Sequence, residues 1–248
     1  MQTLLDWLKA EPFSLGMSSG FFGFFAHTGV ISALEDHGLE PTHLAGSSAG
    51  ALVAGLWGAG LKAQVLRETL VGLQRSAFWD PGVGAGLLRG EAFRDLLEQM
   101  LPVKSFEECP LTVSLSVFDV VTCQTRIVHR GPLAEAIQAS CSVPLLFQPC
   151  RVAGRASLDG GVLDRPGLAG IRPGARLLNH HLSSRSPWRR KNSPALRIEQ
   201  RPNMTSVVVS GLPRLGPFRL QEGPAAIQIA RDAMKRALAL PIAALLEV

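Results

Sequence analysis

Gly46-Ser47-Ser48-Ala49-Gly50 is a G-x-S-x-G pentapeptide, residue types and spacing suited to nucleophilic catalysis. It follows an apolar run ending near Ala45 and precedes a helix-prone run, Ala51-Leu-Val-Ala-Gly-Leu-Trp57. A serine on a sharp strand-to-helix turn exposes its Oγ at the end of a sheet, and flanking glycines leave room for the strained backbone. The first amides of the following helix point at the same spot, where they stabilise developing negative charge.

A serine hydroxyl attacks a carbonyl only when a base lies within hydrogen-bond reach. Of the histidines, His27 falls in the first predicted helix, His37 near its end, His43 in the strand before the elbow and His129 on an outer hairpin. His180 and His181 close a late strand and are the pair suited to the Ser…Asp…His order of α/β-hydrolases. Ser48, however, comes after only about two strands, too early for that sheet order. Asp159 is the better candidate. In Leu158-Asp159-Gly160-Gly161 a short strand runs into two glycines, which leave the carboxylate at a turn with little steric cover. An Asp-Gly pair is also an ordinary β-turn, so those residues taken alone leave both readings open.

The elements that must position these groups follow from periodicity. Phe13-Ser-Leu-Gly-Met17 reads as a short strand after Pro12, and apolar residues at helical spacing then run from Phe24 to Leu34 and stop at Gly38. Thr42 to Ala45 is a second buried strand, so the opening is β–loop–α–β–elbow–α, the pattern of a parallel sheet covered by helices. Helical spacing recurs over 61–73, 91–100, 133–140 and 224–240. Period-two alternation over 111–118, with 124–129 after a turn at Asp119–Cys123, predicts two paired strands, and 176–182 and 205–210 are further strand candidates. Residues 78–90 form a Gly- and Pro-rich loop long enough to cap a site. The expected architecture is an α/β fold, three-layer α/β/α with a mainly parallel central sheet. With no repeat or Pro/Ser-rich linker, residues 1–248 read as one domain.

Composition narrows the function classes. Hydrophobic residues make up 46% and charged ones 18%, a globular balance, yet no apolar run approaches the ~18–20 residues of a membrane span. The N-terminal stretch carries Asp6 inside its short apolar part and has no basic leader, which argues against a signal peptide and for a cytoplasmic location. Cys109, Cys123, Cys141 and Cys150 form no C-x-x-C pair and no zinc-like spacing with histidine, so reduced thiols and no metal are expected. The net charge of +5 is uneven. Arg185, Trp188, Arg189, Arg190 and Lys191 crowd a segment interrupted by prolines, read as an exposed loop that is either simply solvated or a peripheral contact with an anionic membrane surface. No helix-turn-helix, zinc-finger or aromatic RNA-binding pattern accompanies the charge, so nucleic acid is not an expected partner. Oligomeric state is left open.

Three blocks of the chain, within residues 13–166, resemble the patatin-like phospholipase family. Ser19-Gly-Phe-Phe-Gly-Phe-Phe-Ala-His-Thr-Gly-Val30 is similar to its glycine-rich oxyanion loop and helix start, and Gly46–Gly50 to its nucleophile elbow. Ala139-Ser-Cys-Ser-Val-Pro144 through Asp159-Gly160-Gly161 is similar to its A-S-x-x-x-P…D-G-G/A ending. The resemblance implies a Ser–Asp dyad without histidine: Ser48 as nucleophile, Asp159 as base, and an acyl-enzyme formed from carboxyl esters of phospholipids or lysophospholipids. It implies an oxyanion hole of backbone amides within Gly20, Phe21, Phe22 and Gly23, and no metal or organic cofactor. An aspartate of ordinary pKa near ~4 is a weak base, so a dry pocket or hydrogen-bond strain is expected to raise it. The loop departs from the family's G-G-G-x-[RK]-G, since Ser19 and Phe21 replace glycines and no Arg or Lys appears. Backbone donors tolerate such side-chain changes. The departure keeps one rival in view, a catalytically silent lipid-binding regulator, beside a second, a soluble acyl-ester or thioester hydrolase. Phe24 and Phe25 are expected to pack the first helix on the sheet, whereas Phe21 and Phe22 either do the same or line an acyl-chain groove or meet a bilayer.

Overall fold

A computed structural model describes residues 2–183 and 197–248 of the chain. The basic segment from Arg185 through Trp188, Arg189, Arg190 and Lys191 lies outside the described residues. The first helix is α1 (Leu4–Ala10), which the sequence pattern does not suggest. Its start is a capping box: Thr3 Oγ1 accepts from the Asp6 amide at 3.1 Å, and the Asp6 carboxylate takes the Thr3 amide and hydroxyl.

The core of the fold is a mainly parallel sheet with helices around it, an α/β architecture. The strands are β1 (Ser14–Met17), β2 (His43–Ser47), β3 (Thr112–Asp119), β4 (Gln124–Val128), β5 (Cys150–Val152), β6 (Arg155–Asp159), β7 (Leu177–His181), β8 (Met204–Val208) and β9 (Leu245–Glu247). Their order is β5-β6-β3-β2-β1-β7-β8-β9, with β4 also on β3. Strands β3, β2, β1, β7, β8 and β9 are mutually parallel, while at one side β4 and β6 pair antiparallel with β3, and β5 pairs antiparallel with β6. The three-residue strands β5 and β9 carry too little pattern to be read from sequence.

Helices α2 (Phe24–Asp36), α3 (Ala49–Gly58), α4 (Ala63–Val71), α5 (Glu91–Met100), α6 (Leu133–Cys141) and α7 (Gly223–Ala239) complete the fold. Side chains alternate across a strand. Leu15, Met17, Leu44 and Leu178 therefore join the main core with Phe25, Ile31, Leu56 and Met234. Ala45 and Leu177 face the other way and join a smaller cluster with Leu168, Ile171 and Met204. On that second face the segment after β6 lies very close, since a Cβ on Gly16 would meet Leu168 Cδ2 at 2.2 Å. Among the described residues no helix is long and apolar enough to cross a membrane.

One feature of register decides where distant residues meet. Val117 pairs with both Arg126 of β4 and Asp159 of β6, while Leu115 pairs with both Gly46 of β2 and Val128 of β4. A strand has two edges, so β2 and β6 share the same edge of β3, end to end. Ser47 sits opposite Ser116 and Asp159 opposite the next residue, Val117, which brings the end of β6 against the end of β2.

Candidate active site

Ser48 stands between β2 and α3 at φ 54°, ψ −121°, a conformation that costs a non-glycine residue about 1–3 kcal/mol. The glycines on either side make the turn possible by close approach rather than by their own dihedrals. A Cβ on Gly46 would meet Gly50 backbone at 2.5 Å, and one on Gly50 would meet Met17 O at 2.1 Å. Three bonds hold the strained residue. Its amide donates to Ser140 Oγ at 2.9 Å, and that hydroxyl donates on to Ser116 O at 2.7 Å. Its carbonyl accepts from Leu52 N at 3.0 Å, the first bond of α3, and from Cys141 Sγ at 3.1 Å. Burial first, then the Asp159 charge, pushes the Cys141 thiol well above its ordinary range, which keeps the S–H that this bond needs.

The side chain of Ser48 donates to Asp159 Oδ2 at 2.6 Å. Asp159 is buried, its Oδ1 accepts from Gly161 N at 2.7 Å, and its own amide donates to Ser142 O at 2.9 Å. Both carboxylate oxygens therefore have assigned directions, one toward the serine and one toward the turn that follows. The structure brings together the two residues singled out from sequence, Ser48 and Asp159, and puts neither His180 nor His181 on the serine. His27 donates from Nε2 to Ser18 O at 2.9 Å, so its Nδ1 accepts from His180 Nδ1 at 2.7 Å. Burial lowers His27 to about 4 and His180 well below its ordinary value, and burial with the Arg165 charge lowers His181 to about 4. These are neutral core histidines.

The loop Gly20–Gly23 passes beside this pair and ends in α2. Gly23 N donates to Gly20 O at 2.9 Å and closes the turn, so its amide is already engaged. The amides of Gly20, Phe21 and Phe22 have no protein acceptor among the described residues, and Phe22 takes φ 55°. Ala49 N, in the first turn of α3, has no intrahelical acceptor either. Behind the loop lies Leu182: a Cβ on Gly20 or Gly23 would meet its Cδ1 at 2.5 or 2.1 Å. Leu182 is held in turn, since its amide donates to Ser18 Oγ at 2.8 Å and its carbonyl accepts from Arg165 Nη2 at 2.8 Å. Ser19 N donates to Arg165 O at 2.8 Å, and a Cβ on Gly161 would meet Ser19 at 2.6 Å. The Asp-Gly-Gly turn, the glycine loop and the elbow thus form one packed unit. Nothing in the sequence marks Leu182 or Arg165 for this role, whereas Ser140 lies in the Ala139–Pro144 block.

The loop at 78–90 is pinned rather than free. Leu87 N and Leu88 N donate to Leu145 O and Leu146 O at 3.1 and 2.8 Å, and Gln148 N returns a bond to Leu88 O at 2.9 Å. Asp80 caps α5 through the Gly90 and Ala92 amides. No group of three or more His, Cys, Asp or Glu side chains suited to a metal ion occurs among the described residues.

A family model described as patatin-like phospholipase matches residues 15–169. An uncharacterized NTE family protein of Mycobacterium tuberculosis is 34% identical over 154 residues, which are 61% of this chain and 43% of that protein. Lysophospholipase NTE1 of Scheffersomyces stipitis is 25% identical over 164 residues, 63% of this chain and 11% of that protein. The chain therefore spans less than half the length of the curated relatives it matches. Among solved structures, VipD from Legionella pneumophila superposes with a TM-score of 0.68 at 16% identity, covering 92% of this chain and 67% of that one, a likeness of fold.

Proposed function

The chain belongs to the patatin-like phospholipase family, and on that premise we propose that it hydrolyses carboxyl esters of lipids, with phospholipid or lysophospholipid acyl chains as substrates. The observation that carries this is the 2.6 Å bond from Ser48 Oγ to a buried Asp159, at an elbow residue held at φ 54°. Ser48 Oγ attacks the ester carbonyl while Asp159 Oδ2 accepts its proton. The negative charge passes to the carbonyl oxygen, where the amides of Gly20, Phe21, Phe22 and Ala49 are the available donors. Asp159 then gives the proton to the departing alcohol, and the acyl group stays on Ser48. Water, deprotonated by Asp159, attacks that acyl-enzyme and restores the serine. Every step uses only groups of this chain and water.

Strands β7, β8 and β9 extend the sheet beyond the matched residues, and Leu182 at the end of β7 supports the glycine loop. Residues 1–248 are accordingly taken as one hydrolase domain. The test is fluorophosphonate labelling of purified protein with intact-mass readout, on wild type, Ser48→Ala and Asp159→Asn. Labelling and ester turnover in wild type alone is the expected result. A folded wild type that takes no label with or without lipid vesicles would sink the proposal in favour of a silent lipid-binding protein.

A further inference from the structure

Of the eleven large apolar side chains exposed among the described residues, six lie on segments joined by contacts to the glycine loop, to the segment after α6 or to the Asp-Gly-Gly turn: Phe21, Val83, Leu87, Leu145, Leu163 and Phe218. Contacts join those segments into one rim. Gly216, two residues before Phe218, lies against Phe21, with a Cβ there 3.7 Å from Phe21 Cε1. Phe22 meets Phe21 and Phe78 at ring-centroid distances of 4.9 and 5.9 Å, and Trp79, next to Phe78, meets Phe218 at 5.9 Å. On the other side the 78–90 loop is bonded to the segment carrying Leu145 through Leu87 N and through Gln148 Nε2, which donates to Val83 O at 3.0 Å. That segment follows directly on α6, whose Ser140 and Cys141 hold Ser48, and Leu163 follows the Asp159-Gly-Gly turn.

Two features set this rim apart from scattered surface leucines. Leu145 is 81% exposed at φ 68°, a left-handed conformation that is a true outlier for a bulky side chain. Phe218, 68% exposed, and Trp79 are both stacked under Arg75, whose guanidinium carbon lies 4.7 and 5.5 Å from their ring centroids. The charge on the rim is positive. Arg75 and Arg214 have no acidic partner among the described residues, whereas the nearby Asp80 caps α5, Glu91 faces Arg89 and Glu222 is paired with Arg219. Aromatic and leucine side chains with an arginine among them match a bilayer with anionic headgroups, where rings and aliphatic groups enter the interface and guanidinium groups meet phosphate.

We propose that the rim formed by Phe21, Leu87, Leu145, Leu163, Phe218 and Arg75 is the surface by which the protein sits on an anionic lipid bilayer, with the mouth of the Ser48 site facing the membrane. The inference rests on the proposed lipid-ester hydrolysis. Docked in this way, the protein would take an acyl chain from the bilayer past apolar side chains rather than through water.

The test is vesicle sedimentation of the full chain carrying Ser48→Ala, so that no lipid is consumed, on phosphatidylcholine vesicles with and without phosphatidylserine. The same background is then given Leu145→Asn, which suits the left-handed backbone, together with Phe218→Ser. Partition onto the phosphatidylserine vesicles is expected to fall at least about tenfold in that variant and to weaken for both proteins as salt rises. With Ser48 restored, turnover of a monomeric short-chain ester should match wild type, so the docking surface and the hydrolytic site are read separately. Equal partition of the two proteins, or no partition onto either vesicle, overturns the proposal. A wild-type dimer in solution that the same substitutions dissociate also overturns it and makes the rim a protein interface.

Discussion

Replacing Ser140 by alanine tests how the strained Ser48 is held. Ser140 is fully buried, and its hydroxyl accepts from the Ser48 amide at 2.9 Å and donates to Ser116 O at 2.7 Å. Alanine removes both bonds, orphaning one amide and costing one carbonyl a partner. A buried polar group left unpaired costs about 1–3 kcal/mol, so the pair together is worth about 2–6 kcal/mol. In a chain of this size each kcal/mol lowers Tm by about 2–4 °C, which predicts a fall on the order of 10 °C. The functional loss is larger in proportion. Ser48 stays at φ 54° only because its neighbours hold it there, and once its amide is released the turn relaxes and carries Oγ away from Asp159. A displacement of about 1 Å lowers the rate about 100-fold. Steady-state kinetics on a soluble p-nitrophenyl ester, beside a thermal melt, should show kcat down by that factor with KM little changed. A Ser140→Ala protein with lowered Tm but wild-type kcat would refute the reasoning, because the elbow would then hold itself.

Leu182→Ala removes the bed under Gly20 and Gly23. It should destabilise the protein by about 2–5 kcal/mol in urea melts and depress kcat more than KM as the loop amides lose their support. Asp164 accepts from Ser116 Oγ at 2.5 Å and from the amides of Gly167, Leu168 and Ala169. Asp164→Ala should therefore cost about 3 kcal/mol or more, and an unchanged urea midpoint would show that water replaces the carboxylate. The histidines predict acid sensitivity with a definite sign. His27 and His181 sit at about 4 in the folded protein against 6.5 for a free histidine, so the unfolded chain binds protons the folded one refuses. Their contribution is complete above about pH 6.5 and is lost as pH falls toward about 4, on the order of 3 kcal/mol for fully buried His27. Urea midpoints taken between pH 7 and 4 should fall in that window, and less steeply in His27→Gln; identical slopes would remove His27 from the cause.

How much was legible in the residues follows from the range of the forces involved. The Ser48 elbow could be read because its constraint is local: a left-handed serine between a strand and a helix demands small residues two positions away on each side, and Gly46 and Gly50 supply them. The same holds for helices α2 to α7, whose apolar periodicity needs only a few neighbouring turns, though α3 begins at Ala49 rather than after the elbow. Helix α1 was missed because Asp6 reads as a charge interrupting an apolar stretch until Thr3 is seen capping with it. Strand β9 was missed because an edge of three residues owes its form to β8 rather than to its own pattern.

Asp159 marks the boundary. Its residue type and the two glycines after it are visible in the sequence, and so is the turn they make. That this carboxylate meets Ser48, and not His180 or His181, is a matter of two strands abutting on one edge of β3, a relation between residues far apart in the chain. Likewise the bed under the glycine loop is made by Leu182 and Arg165, which arrive from β7 and from the turn after β6 and have no mark of their own in the sequence. The sequence by itself determined the turn at Ser48, the alternation of strands and helices and the Asp-Gly-Gly turn after Leu158, because local sterics and hydrophobic period act over a few residues. Register across the sheet, the pairing of serine with aspartate and the support of the glycine loop were decided by tertiary structure, because burial and hydrogen bonding there are satisfied only by partners brought in from elsewhere in the chain.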